Sequence, residues 1–349
     1  MKIRFTHSIL TVLFISICCF LPIAGEAQAG SITGIMVDDD GGGAVPNVRV
    51  AVYAANDDTV IIAEDNTDAA GGYSVTGLGN GDYKVWFITG ATGYIKKWYD
   101  GGDGSLDFTG AQLVPVTSET PVNLGETRLI LGGKITGTVT YSDAPPSAAV
   151  YVQAYDSGGR WVETFVVNSS TGIYEIFGLP TGSYTLHFYA YQTDYVSEWY
   201  DDVLAQGSAT PVPVTQPSVT SGKDAQLTLG GEISGQVSDA GGGITGALVK
   251  AYDSADSSVL LGFTTTVAGG TYTITGLPTG TNNLKVEFFE TGSGDGMTEW
   301  YNDKLGFFSA DAVSTGDSGI NAVLEPSSTS TTGNLSPVYM MLGLINSAP

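Results

Sequence analysis

Cysteine is nearly missing. The 349-residue chain has two, Cys18 and Cys19, both close to its start. Nothing downstream can form a disulfide or a cysteine-ligated metal centre. Histidine is as scarce, with His7 and His187 only. That leaves one imidazole in the body of the chain, too few for a histidine metal site and unsupported as a general base. Basic residues are few, 13 Lys and Arg against 36 Asp and Glu, for a net charge of −23. No basic stripe exists to neutralise phosphates, which excludes nucleic acid as a partner and argues against docking on an anionic membrane face. Charged residues of both signs make up only 14%. Yet 42% of the chain is hydrophobic, which separates it from disordered, charge-rich sequences and allows packed cores.

Long apolar runs are also few. Ile9 to Leu21 is one, preceded by Lys2 and Arg4 and followed by Ala27-Gln28-Ala29. At about 13 residues it is too short to span a bilayer, and the order basic, apolar, small is that of a secretory signal peptide. Residues 1–29 are therefore expected to be removed, leaving Gly30 as the first mature residue. Lipidation is disfavoured because Ile17, not a small residue, precedes Cys18. The exported chain would use no disulfide in a compartment that permits them. Val338 to Ile345 is apolar but again too short to span, so no membrane span is expected in the mature chain.

The remainder is one unit written three times. Ile32-Thr33-Gly34, Ile135-Thr136-Gly137 and Ile233-Ser234-Gly235 open the units. Trp98-Tyr99, Trp199-Tyr200 and Trp300-Tyr301 follow at intervals of 101 residues. Leu129 to Leu131 and Leu227 to Leu229 lead into Gly132-Gly133 and Gly230-Gly231. A period this long exceeds the roughly 20–50 residues of a solenoid repeat and fits a complete small domain. The expected division is 30–131, 132–229 and 230–326, with a Ser/Thr linker and apolar tail over 327–349. Paired glycines at the junctions permit a bend, but two residues give little reach.

Local patterning is that of strands. Asn47 to Tyr53 and Tyr184 to Phe188 alternate apolar residues with period two, which puts one face on a core. Clusters such as Asp38 to Gly43, and steps such as Leu179-Pro180-Thr181-Gly182, read as turns. No stretch keeps helical spacing. The fold class is all-β, with three tandem antiparallel β-sandwiches of about seven strands each.

The order of these elements resembles a known family. A Gly-x-Ile-x-Gly-x-Val strand, a glycine-rich loop, a Val-x-Val/Ala-Tyr strand and a Gly-x-Tyr-x-Ile-x-Gly-Leu-Pro-x-Gly-x-Tyr hairpin are similar to the carboxypeptidase regulatory-like domain. Its transthyretin-like (prealbumin-like) sandwich is shared by the B-type repeats of bacterial surface adhesins. The resemblance covers nearly all of residues 30–326 and implies a fold more than a function. B-type repeats often carry a Lys–Asn crosslink between first and last strands. The corresponding positions here are Ser31, Lys134 and Glu232 early, with Gln226 and Asn321 late, so the pair is never complete within one unit.

Two constellations stand out as sites. The steps Trp98-Tyr99, Trp199-Tyr200 and Trp300-Tyr301 read either as packing residues closing one end of each sandwich or as aromatic platforms for a sugar ring. Adjacent strand residues face opposite ways, which makes Tyr99, Tyr200 and Tyr301 the more exposed candidates. The run Asp100 to Asp107, with Asp103 between, is dense enough in carboxylates to suggest a loose calcium loop. It lacks alternating acidic positions and a terminal bidentate glutamate, and a solvated turn is the plainer reading. No other cofactor is expected, nor a catalytic residue. The functional expectation is a non-enzymatic exported protein at the cell surface or beyond it, with the periplasm as alternative. It would act as a spacer or adhesion rod. Alternatives are a carbohydrate-binding protein with repeated aromatic platforms, and an accessory subunit of a cell-envelope assembly. The corresponding partners are polysaccharide or another surface protein.

Overall fold

A computed structural model describes residues 29–117, 120–290 and 298–324. The expected signal peptide up to Gln28, and the tail from 325 onward, lie outside the described residues. By its contacts the chain divides into two compact units. The first holds residues up to Val37 with Ala44–Ile88 and Lys97–Arg128; the second holds Asp38–Gly43, Thr89–Lys96 and the chain from Leu129.

In the first unit the period-two run becomes the strand Arg49–Ala54, with Val50 and Val52 fully buried. It lies within a sheet ordered Asp57–Asn66, Arg49–Ala54, Gly81–Ile88 and Lys97–Trp98, with Val114–Val116 also on Gly81–Ile88. A second sheet places Gly30–Asp38 between Gly72–Leu78 and Val122–Leu129. Ile32, Met36, Val75 and Leu78 of one sheet, and Val50, Val52, Val85 and Phe87 of the other, are fully buried. The Tyr73 and Phe87 rings join the sheets at 6.3 Å. Each such buried side chain stabilises the fold by about 1.5–3 kcal/mol relative to exposure.

The second unit repeats this plan. Gly133–Tyr141 lies between Ile173–Leu179 and the short strands Val219–Thr220 and Ala225–Leu227. Facing it are Trp161–Val166, Tyr151–Asp156, Gly182–Tyr189 and Glu198–Trp199, with Val212–Val214 on Gly182–Tyr189. Further along, Gly231–Asp239 lies between Gly242–Gly243 and Thr271–Leu277, with Ala322–Val323 beside it. Its facing sheet is Leu260–Thr265, Leu248–Asp253, Leu284–Phe289 and Thr298–Trp300. Each pair of sheets encloses its own cluster, around Ile135, Ile176, Leu186 and Phe188 in one and Ile233, Ile274, Val286 and Phe288 in the other.

The sheets depart from an all-antiparallel, seven-stranded plan in two respects. Val219–Thr220 and Ala225–Leu227 run parallel to Gly133–Tyr141, as Ala322–Val323 does to Gly231–Asp239. Alternation tells which face a residue takes, not which way its strand runs, and a crossover from the other sheet delivers the last strand alongside the first. The described residues also hold more strands than expected, because edge strands break into pieces of two or three residues.

The paired glycines are packing residues, not hinges. A Cβ on Gly230 would lie 2.6 Å from Gly276 C. Gly230 N–H donates to Asp194 O at 2.8 Å, and Val196 N–H to Thr228 O at 3.0 Å. Thr275 Oγ1 donates to Thr193 O at 2.9 Å. Tyr191 stacks on Phe263 at 4.7 Å and 18°.

Candidate functional site

The three Trp-Tyr steps occupy equivalent places on the outer face of the larger sheets. Each tryptophan lies on the short edge strand and heads a row of three residues across the sheet. The rows are Trp98–Trp86–Ala51, Trp199–His187–Gln153 and Trp300–Glu287–Lys250. A tyrosine two residues beyond the last member of each row packs its ring on the indole. The distances are 5.2 Å for Tyr53, 5.0 Å for Tyr155 and 5.4 Å for Tyr252. Phe108 and Phe307 close the first and third rows at 5.1 and 5.5 Å. Lys84 and Lys285 cover those two rings and donate to the carbonyl oxygens of the same phenylalanines. In the second row Gln206 and Thr185 take these places and bond each other at 3.4 Å. Lysine and phenylalanine come and go together because a buried ammonium needs both the ring face and the carbonyl.

These contacts bear on the six aromatic residues singled out from the sequence. Trp98 is buried; Tyr99, Trp199, Tyr200, Trp300 and Tyr301 are half-buried. The tyrosines are thus not the exposed members expected. Their N–H groups bond Val85, Leu186 and Val286, and the rings of Tyr200 and Tyr301 pack against the two core clusters. Alternation alone does not expose a residue at the end of a sandwich, where the facing sheet reaches over it.

The rows differ in chemistry. In the second, Tyr155 Oη donates to Gln153 Oε1 at 3.1 Å, and His187 Nδ1 lies 3.2 Å from that oxygen. The His187 ring stacks on Trp199 at 4.6 Å. It is not the solvent-facing strand residue its alternation suggests, and burial pushes its pKa down to about 4. In the third, Lys250 and Tyr252 both bond Glu287 Oε2, at 3.1 and 3.0 Å.

The run Asp100 to Asp107 is organised as a turn. Asp100 Oδ1 accepts the N–H groups of Gly102 and Gly104, at 2.8 and 2.9 Å. The cation of this loop is Lys97, which donates to Asp103 O at 2.7 Å and to Arg128 O at 2.5 Å. Ser105 Oγ donates to the main-chain oxygen of Asp107 at 2.9 Å. Among the described residues no three Asp, Glu, His or Cys side chains gather as metal ligands. Lys134 pairs with Glu175 at 2.8 Å, and Asn321 Oδ1 accepts the Gln236 N–H at 2.9 Å.

Glu198, before Trp199, was not singled out by sequence reasoning. It is buried, and its Oε1 has no hydrogen-bonding partner among the protein atoms. Burial, then the charge of Asp202, pushes its pKa up to about 7. Its one sequence signal is that it replaces Lys97 at the same place in the repeat.

Paired sheets with a short edge strand and a parallel closing strand define a prealbumin-like β-sandwich protein. Residues 30–99 match the family model of the SpaA prealbumin-like fold domain. Over 163 residues, 44% of its length, the chain is 28% identical to serine-aspartate repeat-containing protein F of Staphylococcus epidermidis. It spans about a tenth of that relative's length (10%). Among solved structures it is similar to the minor pilin GBS52 of Streptococcus agalactiae, with 13% identity, 57% of this chain and 96% of that one covered, and a TM-score of 0.27. It is also similar to the shaft pilin SpaA of Lactobacillus rhamnosus GG, with 12% identity, 58% and 97% coverage, and a TM-score of 0.25.

Proposed function

We propose that this protein is a non-enzymatic, exported surface protein that works as a spacer, with prealbumin-like modules over 30–131, 132–229 and 230–326. The observation that carries the reading is the link between the sandwiches of the second unit. The segment 190–197 bonds the backbone of 228–230 and Thr275, and stacks Tyr191 on Phe263. A linker bonded on both sides favours a stalk over freely swinging beads. The aromatic rows support it too, since their rings pack on one another. The SpaA-type match over 30–99 and the kinship with a serine-aspartate repeat protein agree with placement at the cell surface. Single-molecule stretching tests the reading. Three unfolding events are expected, each releasing roughly 330 Å of chain at about 3.3 Å per residue. One event, or a gradual extension, would overturn it. Saturable binding on a glycan array, lost in Tyr200→Ala with the fold intact, would favour the sugar-platform alternative.

A further inference from the structure

Lys97, Glu198 and Glu299 precede the three tryptophans and pair across the sheet with Phe87, Phe188 and Phe288. Directly paired residues of antiparallel strands point to the same side, and those phenylalanines are fully buried. The residue before each tryptophan therefore points inward at the sandwich edge, not outward with the aromatic row. In the first unit that inward group is an ammonium. Lys97 bridges the facing strand and the adjoining loop through two carbonyl oxygens, Arg128 O and Asp103 O. A positive charge there satisfies oxygens from both sheets.

The second repeat inverts the charge on the same scaffold. Glu198 is only 8% exposed, and its Oε1 lacks a partner. The adjoining loop contributes Asp202, whose charge acts on Glu198. Asp201 and Asp202 both hold left-handed backbone conformations, at φ 80° and 58°. A buried carboxylate beside a second carboxylate, where a sister repeat holds an ammonium, lacks its counter-charge.

We propose that the second repeat binds a hard divalent cation of the calcium class at Glu198 and Asp202. The cation takes the part that the Lys97 ammonium plays in the first. Two carboxylates alone do not make a calcium shell, but calcium also takes main-chain carbonyl oxygens and water. The site is distinct from the Asp100–Asp107 loop, whose interior Lys97 already fills.

Calorimetric titration of the full chain with calcium chloride at pH 8, with thermal melts in calcium and in chelator, tests this. Expected is a saturable site whose occupation raises the melting temperature by about 3 °C or more at hundred-fold excess over Kd. Glu198→Gln abolishes the site and Asp202→Asn weakens it at least tenfold. Glu198→Lys removes the calcium response and melts, in chelator, no lower than the calcium-loaded parent. Equal titration by parent and Glu198→Gln overturns the proposal. So does a parent melt that moves with pH but not with calcium, which assigns the place to a proton. Should Glu198→Lys not fold, the near-isosteric Glu198→Gln decides alone.

Discussion

Lys250 Nζ lies 3.1 Å from Glu287 Oε2, and the two residues are directly opposed on neighbouring strands. The same two positions hold Gln153 and His187 in the preceding repeat, and Ala51 and Trp86 in the first. One place under the edge tryptophan thus carries an ionic, a neutral hydrogen-bonded and an apolar pair. All three suit a half-buried sheet face because each is complete in itself.

That completeness predicts how the pair responds to mutation. Lys250→Met leaves the Glu287 carboxylate with only Tyr252 as donor and should cost about 3 kcal/mol. Replacing both residues together, Lys250→Ala with Glu287→Trp, should recover most of the loss by installing the first repeat's pair. Chemical denaturation of the single and double variants measures the difference.

Two groups of the second repeat titrate with opposite sign. His187 has its pKa lowered from 6.5 to about 4, so the unfolded chain binds more protons between those values. Its contribution to stability is present above pH 6.5 and lost as pH falls to 4. Glu198 has its pKa raised from 4.5 to about 7. Its contribution is present below pH 4.5 and lost as pH rises to 7. Each is on the order of 2 kcal/mol, and they offset one another between pH 4.5 and 6.5. In chelator, relative to the parent, Glu198→Gln should steepen the rise in stability from pH 4.5 to 6.5. His187→Gln should instead show a decline across that range.

The glycines of the hairpin turn separate backbone strain from packing. Gly77 and Gly276 both have positive φ, 83° and 68°. A methyl on Gly77 meets nothing within 4 Å, whereas one on Gly276 would lie 2.5 Å from Tyr195 O. Both alanine variants should lose about 1–2 kcal/mol to the left-handed backbone. Only Gly276→Ala should also loosen the segment 190–197 and expose residues 228–231 to protease. Limited proteolysis of the two variants side by side gives the comparison.

Lys97→Met should destabilise the first unit by about 1–3 kcal/mol, since Asp103 O and Arg128 O lose a charged donor. Calcium should not restore the loss, because the methionine supplies no anionic ligand. Melting with and without calcium tests both parts.

Much of this was legible from residue order. The Trp-Tyr interval of 101 residues marked equivalent places, and alternation in Asn47 to Tyr53 marked a strand with one buried face. The glycine pairs were misread as joints, since sequence cannot distinguish a glycine that bends from one that lets two backbones touch. His187 and Glu198 lay beyond reach for a related reason. Their surroundings come from Gln153 and Trp199 in one case and from Asp202 in the other, and only pairing and loop geometry bring those groups to them.

Residue order by itself determined an all-β chain with a repeating plan, because period two and turn chemistry act over a few neighbours. Tertiary structure alone decided the parallel direction of the closing strands, the inward aim of Lys97 and Glu198, and the packing of the tryptophan rows. Those depend on which strands lie side by side, and that is set by cores assembled from segments many residues apart.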